Sequence, residues 1–208
     1  MKKPNYTAII LGDIVDSQKI PVDQWMTPLK SFLDCQGPSP STWQIFRGDS
    51  FQLEVQDASR VLDTALHLKA HLRRHCDATV RLGIGIGEVD YRSNQITESQ
   101  GKAFVFAGKA FDGLKKRTLA LQSPWRLLNK SIDATVDMAM YIVEDWSIAE
   151  AEAYSLWADN PDINQTEMAQ RLGITQGRIS DRLKRAGQNA LKKWLRYHSE
   201  LINQNLKG

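Results

Sequence analysis

The sequence predicts an α+β protein in which a βαββαβ sandwich is followed by an all-α C-terminal domain. Three observations predict this fold class. Short strand-like runs alternate with helix-like segments over the first 90 residues. Helical periods dominate the last quarter of the chain. That quarter also carries the basic excess, with nine Lys and Arg against four Asp and Glu in residues 161–208, which favours an anionic partner there.

The first six elements alternate between strand and helix patterns. In chain order they are a strand at residues 7–11, a helix at 22–35, strands at 43–46 and 51–55, a helix at 58–76 and a strand at 79–89. The helices repeat apolar residues at helical spacing, and the last strand alternates strictly between its two faces. This order is the split arrangement of a ferredoxin-like fold.

Three elements lead to the C-terminal domain. Residues 101–121 have a helical pattern, residues 125–129 follow Pro124 as a short strand, and residues 132–145 are helical. We place the N-terminal domain at 1–130, a connecting helix at 131–148 and the C-terminal domain at 149–208.

The C-terminal domain contains the pattern of a helix-turn-helix. Asn164 stands three residues before Glu167, a capping box that opens a helix. Gly173 breaks that helix where a positive φ costs little, and Thr175 can cap the next one. The inward face of the second helix is Ile179, Leu183 and Ala186. Two short helices around a Gly-Ile turn follow from these signals.

The second helix has a polar outer face that suits double-stranded DNA. Its candidate DNA-binding residues are Thr175, Gln176, Arg178, Ser180, Asp181, Arg182, Lys184 and Arg185. Those near the helix start can reach base edges, and the later cations are placed for phosphate. The alternative is a solvated cationic helix. Residues 170–176 (QRLGITQ) resemble the helix-turn-helix regions of bacterial transcription regulators, which implies transcription regulation.

Two aspartates are expected to meet at one end of the sheet. The third strand of a βαββαβ sheet lies antiparallel beside the first, so Asp13 and Asp49 should be neighbours. Each follows a glycine, Gly12 or Gly48, that would let a ligand approach the backbone. Such a carboxylate pair suits a Mg²⁺–triphosphate site. The alternative is that both Gly-Asp pairs are turns. Residues of the following loop that could assist are Asp16 and Ser17.

Residues 7–129 resemble the class III nucleotide cyclases. Four motifs carry the resemblance: residues 10–15 (ILGDIV), 46–51 (FRGDSF), 81–89 (RLGIGIGEV) and 101–104 (GKAF). Together with the helix-turn-helix, the whole chain is similar to SatD-family proteins. The resemblance implies that Asp13, Asp49 and the Ile14 backbone hold Mg²⁺ or Mn²⁺ with a nucleotide, and that the chain forms a homodimer.

The sequence departs from active cyclases at the catalytic positions. The family's Asn and Arg fall on Val105 and Lys109, and its base-reading residue falls on Ile45. Loss of one preorganised donor can cost ~10²–10³ in rate. We therefore expect a weak or inactive domain that serves as a sensor or dimeriser. The alternative is a divergent metal-dependent nucleotidyl cyclase or nucleotide-converting enzyme tethered to DNA, with Arg47 or Lys102 substituting. A third possibility is that both aspartates are vestigial and the domain only binds protein partners.

Other features set the expected location and weigh against further sites. His67, His71 and His75 share one helical face, where neighbouring cations favour a solvated face over a metal site. Two distant cysteines, Cys35 and Cys76, argue against a disulfide framework or zinc site. No apolar run approaches the ~20 residues of a membrane span. The expectation is a cytoplasmic protein without a membrane partner.

Overall fold

A computed structural model describes residues 6–207 and shows an α+β architecture. The strands are β1 (Tyr6–Ile14), β2 (Trp43–Phe46), β3 (Ser50–Val55), β4 (Val80–Glu88) and β5 (Leu119–Gln122). The α-helices are α1 (Val22–Asp34), α2 (Val61–Cys76), α3 (Lys102–Asp112), α4 (Arg126–Glu144), α5 (Ile148–Asp159), α6 (Gln165–Leu172), α7 (Gln176–Arg185) and α8 (Gln188–Lys207).

The strands form one mixed sheet in the order β2-β3-β1-β4-β5. The central strand β1 is antiparallel to both of its neighbours, β3 and β4, and β2 pairs antiparallel with β3 as a hairpin. β5 adds to the edge in parallel with β4. The six elements predicted before residue 90 are confirmed, and β1 continues past its predicted end to Ile14.

Two predictions between residues 101 and 130 are wrong. The predicted helix 101–121 ends at Asp112, and Leu119–Gln122 is instead the edge strand β5, whose pairing with β4 outweighs the local helical pattern. The predicted strand 125–129 is the first turn of α4, which starts directly after Trp125. Leu128 there already belongs to the helical stripe that continues at Ile132 and Val136, all buried.

The two faces of the sheet carry different layers. Ile9 points to one face and packs with Ala103 and Ala107 of α3. Ala8 and Ile10 point to the other face and belong to the main core with α1 and α2. This alternation is the period-2 geometry of a strand buried on both sides.

The glycines of β4 allow α3 to approach the sheet closely. A Cβ on Gly85 would overlap the Ala103 carbonyl oxygen and the Ala107 backbone nitrogen, and one on Gly83 would overlap the backbone of Phe111. The glycine pattern in this strand is therefore explained by helix–strand packing.

The core continues from the sheet into the C-terminal helices. Tyr154 of α5 and Leu191 and Leu195 of α8 belong to the same buried cluster as the apolar residues of α1, α2 and the sheet. Helix α4 runs across the proposed boundary at residues 130 and 131. One continuous set of contacts thus links the sheet to the helices that follow it.

The histidine face of α2 is packed at His67 and His71 and exposed at His75, so the expectation of a solvated face is wrong for the first two residues and holds for the third. The rings of His67 and His71 lie about 5 Å from the Phe32 ring of α1, at centroid distances of 5.0 and 5.4 Å. His71 is buried, and its Nε2 is 3.1 Å from the Pro28 carbonyl oxygen. Desolvation by burial, reinforced by His75 and Arg74, lowers the pKa of His71 to about 4.

Candidate nucleic-acid interface

Three short helices, α5, α6 and α7, form a compact unit with explicit end signals. Asn164 caps α6 through a complete capping box with Glu167, as predicted. Gly173 ends α6 with a left-handed φ of 63°, and the Thr175 hydroxyl accepts a hydrogen bond from the Arg178 backbone N–H to start α7. The chain therefore turns between α6 and α7 within three residues.

A small core holds α6 against α7. Ile179 and Leu183 point inward from α7 and pack with Met168 and Ala169 of α6 and Ala153 of α5. Ala186, the third predicted inward residue, is fully buried in the main core. The predicted helix-turn-helix packing is confirmed, and this packing leaves the opposite face of α7 free.

The free face of α7 carries most of the predicted DNA-binding residues. The exposed members of that set are Thr175, Gln176, Arg178, Ser180, Asp181, Lys184 and Arg185. A surface groove of about 270 Å³ runs between this face and the start of α5. Arg178, Asp181 and Arg185 line the groove together with Arg182. The geometry thus offers a cationic, hydrogen-bonding surface on one exposed helix.

Two predicted residues are held by neighbours on other helices. Arg182 Nη1 donates to a Glu152 carboxylate oxygen of α5 at 2.8 Å, and only 26% of the Arg182 side chain is exposed. Gln176 Nε2 donates to Gln165 Oε1 of α6 at 2.7 Å. Arg178, in contrast, has no ion-pair partner among residues 6–207. Arg182 therefore links α7 to α5, whereas the Arg178 side chain can extend away from the unit.

The unit is anchored to the rest of the chain by aromatic side chains. Trp146 is buried at the junction of α4 and α5, and its indole N–H donates to the Ala186 carbonyl oxygen at 2.9 Å. Its ring contacts Tyr154 at a centroid distance of 4.5 Å. The C-terminal end of α7 is therefore fixed against the helix pair α4–α5.

Comparison with known proteins identifies this unit. Residues 156–188 match the family model of winged helix-turn-helix DNA-binding domains. The chain carries a helix-turn-helix DNA-binding domain. The matched residues contain the end of α5, the whole of α6 and α7, and no β-strand. No curated protein matched the chain, and the comparisons give no support to the SatD-family or cyclase-like resemblance of residues 7–129.

No helix within residues 6–207 is long and apolar enough to cross a membrane.

The predicted aspartate pair lies at one end of the sheet. Asp13 is opposite Ser50 in the β1–β3 register, which brings Asp49 next to it. Both aspartates, with Asp16 and Ser17, line a cavity of about 450 Å³. Gly48 occupies a turn with a φ of 83°, but Gly12 lies within β1, so only the second Gly-Asp pair is a turn.

Arg81, which the sequence reasoning did not select, pairs with Asp13. It faces Asp13 across the β1–β4 register, and its guanidinium donates to both carboxylate oxygens. Hydrogen bonding to Asp13 raises the pKa of Arg81, which therefore stays charged. The Ser17 hydroxyl donates to Asp49 in the same cavity. A divalent cation needs the oxygens that Arg81 occupies, so this arrangement does not fit a metal ion.

The two residues aligned with the cyclase Asn and Arg, and the two that could substitute for them, lie elsewhere. Lys109 lines a different cavity, between α3 and α4, with Arg117 and Lys130. Val105 is 54% exposed on α3. Lys102 is 3.7 Å from Glu88, and Arg47 is exposed in the β2–β3 turn. None of these four lines the cavity of Asp13 and Asp49.

Proposed function

We propose that the protein is a transcriptional regulator that binds double-stranded DNA by placing α7 in the major groove. The observation that carries this proposal is the division of α7 into a buried apolar face and an exposed polar face within a helix-turn-helix unit. A groove about 12 Å wide accepts one α-helix, and the first turns of the second helix of such a unit meet the base edges.

The proposal assigns different roles along α7. Arg178, Ser180 and Asp181 are exposed near the helix start and are placed to hydrogen-bond base edges. Lys184 and Arg185 lie one turn further along, where their charges can pair with phosphates. Arg182 keeps its ion pair with Glu152 and positions α7 against α5.

A binding series on the full chain tests these roles. A duplex selected by the wild type from a random library serves as the probe, and fluorescence anisotropy at several salt concentrations gives the affinity. Lys184→Ala should weaken binding on all sequences and reduce the salt slope by about one unit, because one phosphate contact is lost. Lys30→Ala, an exposed lysine on α1, is the matched control and should change neither value. An unchanged salt slope for Lys184→Ala would remove that residue from the interface.

The N-terminal α+β domain, predicted at residues 1–130, is proposed to act as the sensor or dimerisation part of a homodimer. The supporting observation for a sensor is the cavity of about 450 Å³, in which Asp49, Ser17 and Arg81 offer acceptor and donor groups to a polar ligand such as a nucleotide. Mg²⁺ or Mn²⁺ would bind with that ligand only if Arg81 released Asp13. We do not propose cyclase activity, because Val105 and Lys109 lie outside this cavity.

A thermal-shift panel tests the sensor role. ATP, GTP, CTP, UTP and cyclic nucleotides are each added with and without Mg²⁺ or Mn²⁺ to the wild type and to Asp13→Ala/Asp49→Ala. A ligand that binds the folded state raises the melting temperature through mass action. The proposal predicts a shift for at least one nucleotide that the double variant loses. Equal melting temperatures throughout would overturn the sensor role and leave the DNA-binding role intact.

A further inference from the structure

Helix α4 presents an apolar stripe to solvent on the side away from the core. Its inner face, which includes Leu128 and Ile132, is buried. On its outer face Leu127 is 82% exposed, Met138 is 64% exposed and Tyr141 is 84% exposed. Three large apolar side chains on one helix form a patch on the scale that marks interaction sites, in contrast to single exposed residues elsewhere.

The stripe has the spacing of a helix–helix seam. Leu127, Ala134 and Tyr141 are separated by seven residues each, and Met138 lies four residues after Ala134. Steps of seven, four and three residues keep these side chains along one line of the helix. The position between Leu127 and Ala134 is Ser131, a half-buried polar residue whose hydroxyl is 3.2 Å from His198 Nε2 of α8. At a rise of 1.5 Å per residue the stripe is roughly 20 Å long.

We propose that a second copy of this chain covers the stripe, with the two α4 helices antiparallel and a two-fold axis passing near Ala134. The proposal rests on the proposed function, because a two-fold dimer presents two α7 helices to one DNA site. Ala134 is midway between Leu127 and Tyr141. An antiparallel pair therefore packs Leu127 against the partner's Tyr141 and allows close approach at the small Ala134.

The charges beside the stripe select the antiparallel direction. Arg126 and Lys130 lie on one flank near the start of α4. Asp137 lies on the same flank further along, where one of its carboxylate oxygens accepts a hydrogen bond from Arg117 at 2.8 Å and the other can face a partner. Reversal of the second helix brings Lys130 beside the partner's Asp137, and the symmetry repeats that pair at the other end. In a parallel pair, each charged residue would lie at the same height along the helix axis as the identical residue of the partner, so opposite charges would not meet.

The size of the patch predicts the strength of the dimer. Three side chains of this type expose on the order of 400 Å² in total, about half of what each partner contributes to a standard interface. The charged residues beside the stripe form a polar rim and increase the total buried area. The dimer should therefore depend on protein concentration in the free state and become stable on a DNA site that holds both subunits.

Cysteine cross-linking of the full chain tests the direction of packing. Cys35→Ser and Cys76→Ser remove the native thiols, and a single cysteine is then introduced at position 127, 134 or 141. The proposal predicts that Ala134→Cys forms a disulfide-linked dimer on mild oxidation, since only residues near the axis meet their own copy. Leu127→Cys and Tyr141→Cys should each form no disulfide alone and should cross-link when mixed. Cross-linking of all three single variants indicates a parallel pair and overturns the proposal, as does cross-linking of none.

A second measurement does not depend on disulfide geometry. Sedimentation equilibrium should show that Tyr141→Glu weakens dimerisation at least tenfold, whereas Val22→Glu, at a 59% exposed residue of α1, leaves it unchanged. Both changes are on the surface, and equal melting temperatures confirm that the fold is kept. Equal dissociation constants for the two variants would overturn the interface. A wild type that stays monomeric at every concentration tested and still binds DNA overturns the interface and the homodimer but keeps the DNA-binding role of α7. A dimer that binds no DNA keeps the interface and overturns the DNA-binding role.

Discussion

Replacement by alanine should have different effects at two arginines one turn apart on α7, lowering DNA affinity at Arg178 and stability at Arg182. Arg178 is exposed and has no ion-pair partner within residues 6–207, so Arg178→Ala removes nothing that holds the fold. If its guanidinium contacts a base, the change costs about 1–3 kcal/mol of binding, a roughly 5- to 150-fold rise in Kd. Arg182 is paired with Glu152 at 2.8 Å and is largely covered. Arg182→Ala should instead lower the free energy of unfolding by about 0.5–1 kcal/mol.

Fluorescence anisotropy on the selected duplex and urea denaturation separate the two effects. Arg178→Ala should raise Kd at an unchanged urea midpoint, and Arg182→Ala should lower the midpoint with the smaller change in Kd. Glu152→Gln is the matched control for the ion pair, and it should lower stability to a similar extent as Arg182→Ala. The reasoning is refuted if Arg182→Ala loses as much affinity as Arg178→Ala at unchanged stability.

Three further predictions concern the stability of the fold. Gly85→Ala should destabilise the fold by about 3 kcal/mol or more in urea denaturation, because the added Cβ overlaps the Ala103 carbonyl oxygen. The added Cβ of Gly108→Ala on α3 meets open space, so this control should stabilise the fold by about 0.5–1 kcal/mol. Equal effects of the two changes would contradict the close packing. Asn164→Ala should cost about 1 kcal/mol through loss of the α6 cap, and Asn164→Asp, which keeps the acceptor, should cost little; a similar loss in both would rule out capping as the cause. Burial lowers the pKa of His71 to about 4, so the unfolded state takes up this proton first as the pH falls from about 6.5. The free energy of unfolding should therefore fall by about 1–2 kcal/mol towards pH 4, and His71→Phe should flatten this dependence. An identical pH profile for the variant would exclude His71 as its source.

The helix-turn-helix could be predicted from sequence because its signals are local. The capping box at Asn164, the positive φ at Gly173 and the cap at Thr175 each depend on residues within four positions of one another. The same pattern occurs at Ser147 and Glu150, where it opens α5. This capping box could therefore have predicted the start of α5, the third helix of the unit, from the sequence.

The features that sequence reasoning missed depend on contacts between distant residues. β5 is four residues long and is a strand because it pairs with β4, so its own pattern did not distinguish it from a helix. The pair of Arg81 and Asp13 follows from the β1–β4 register, and the pair of Arg182 and Glu152 from the packing of α7 on α5. In a βαββαβ sheet the fourth strand also lies antiparallel beside the first, so Arg81, two positions into the predicted strand 79–89, could have been placed beside Asp13 from the sequence.

Selection of bound duplexes from a random library tests the central claim that α7 reads DNA sequence. The full-length wild type and Arg178→Ala are carried through the same selection, with Lys30→Ala as the control on α1. The account predicts an enriched motif for the wild type and Lys30→Ala, and a motif that loses information at defined positions for Arg178→Ala. An antiparallel α4 dimer further predicts that the motif is an inverted repeat. No enrichment with the wild type, or an identical motif with all three proteins, would contradict the assignment of α7 as the reading helix.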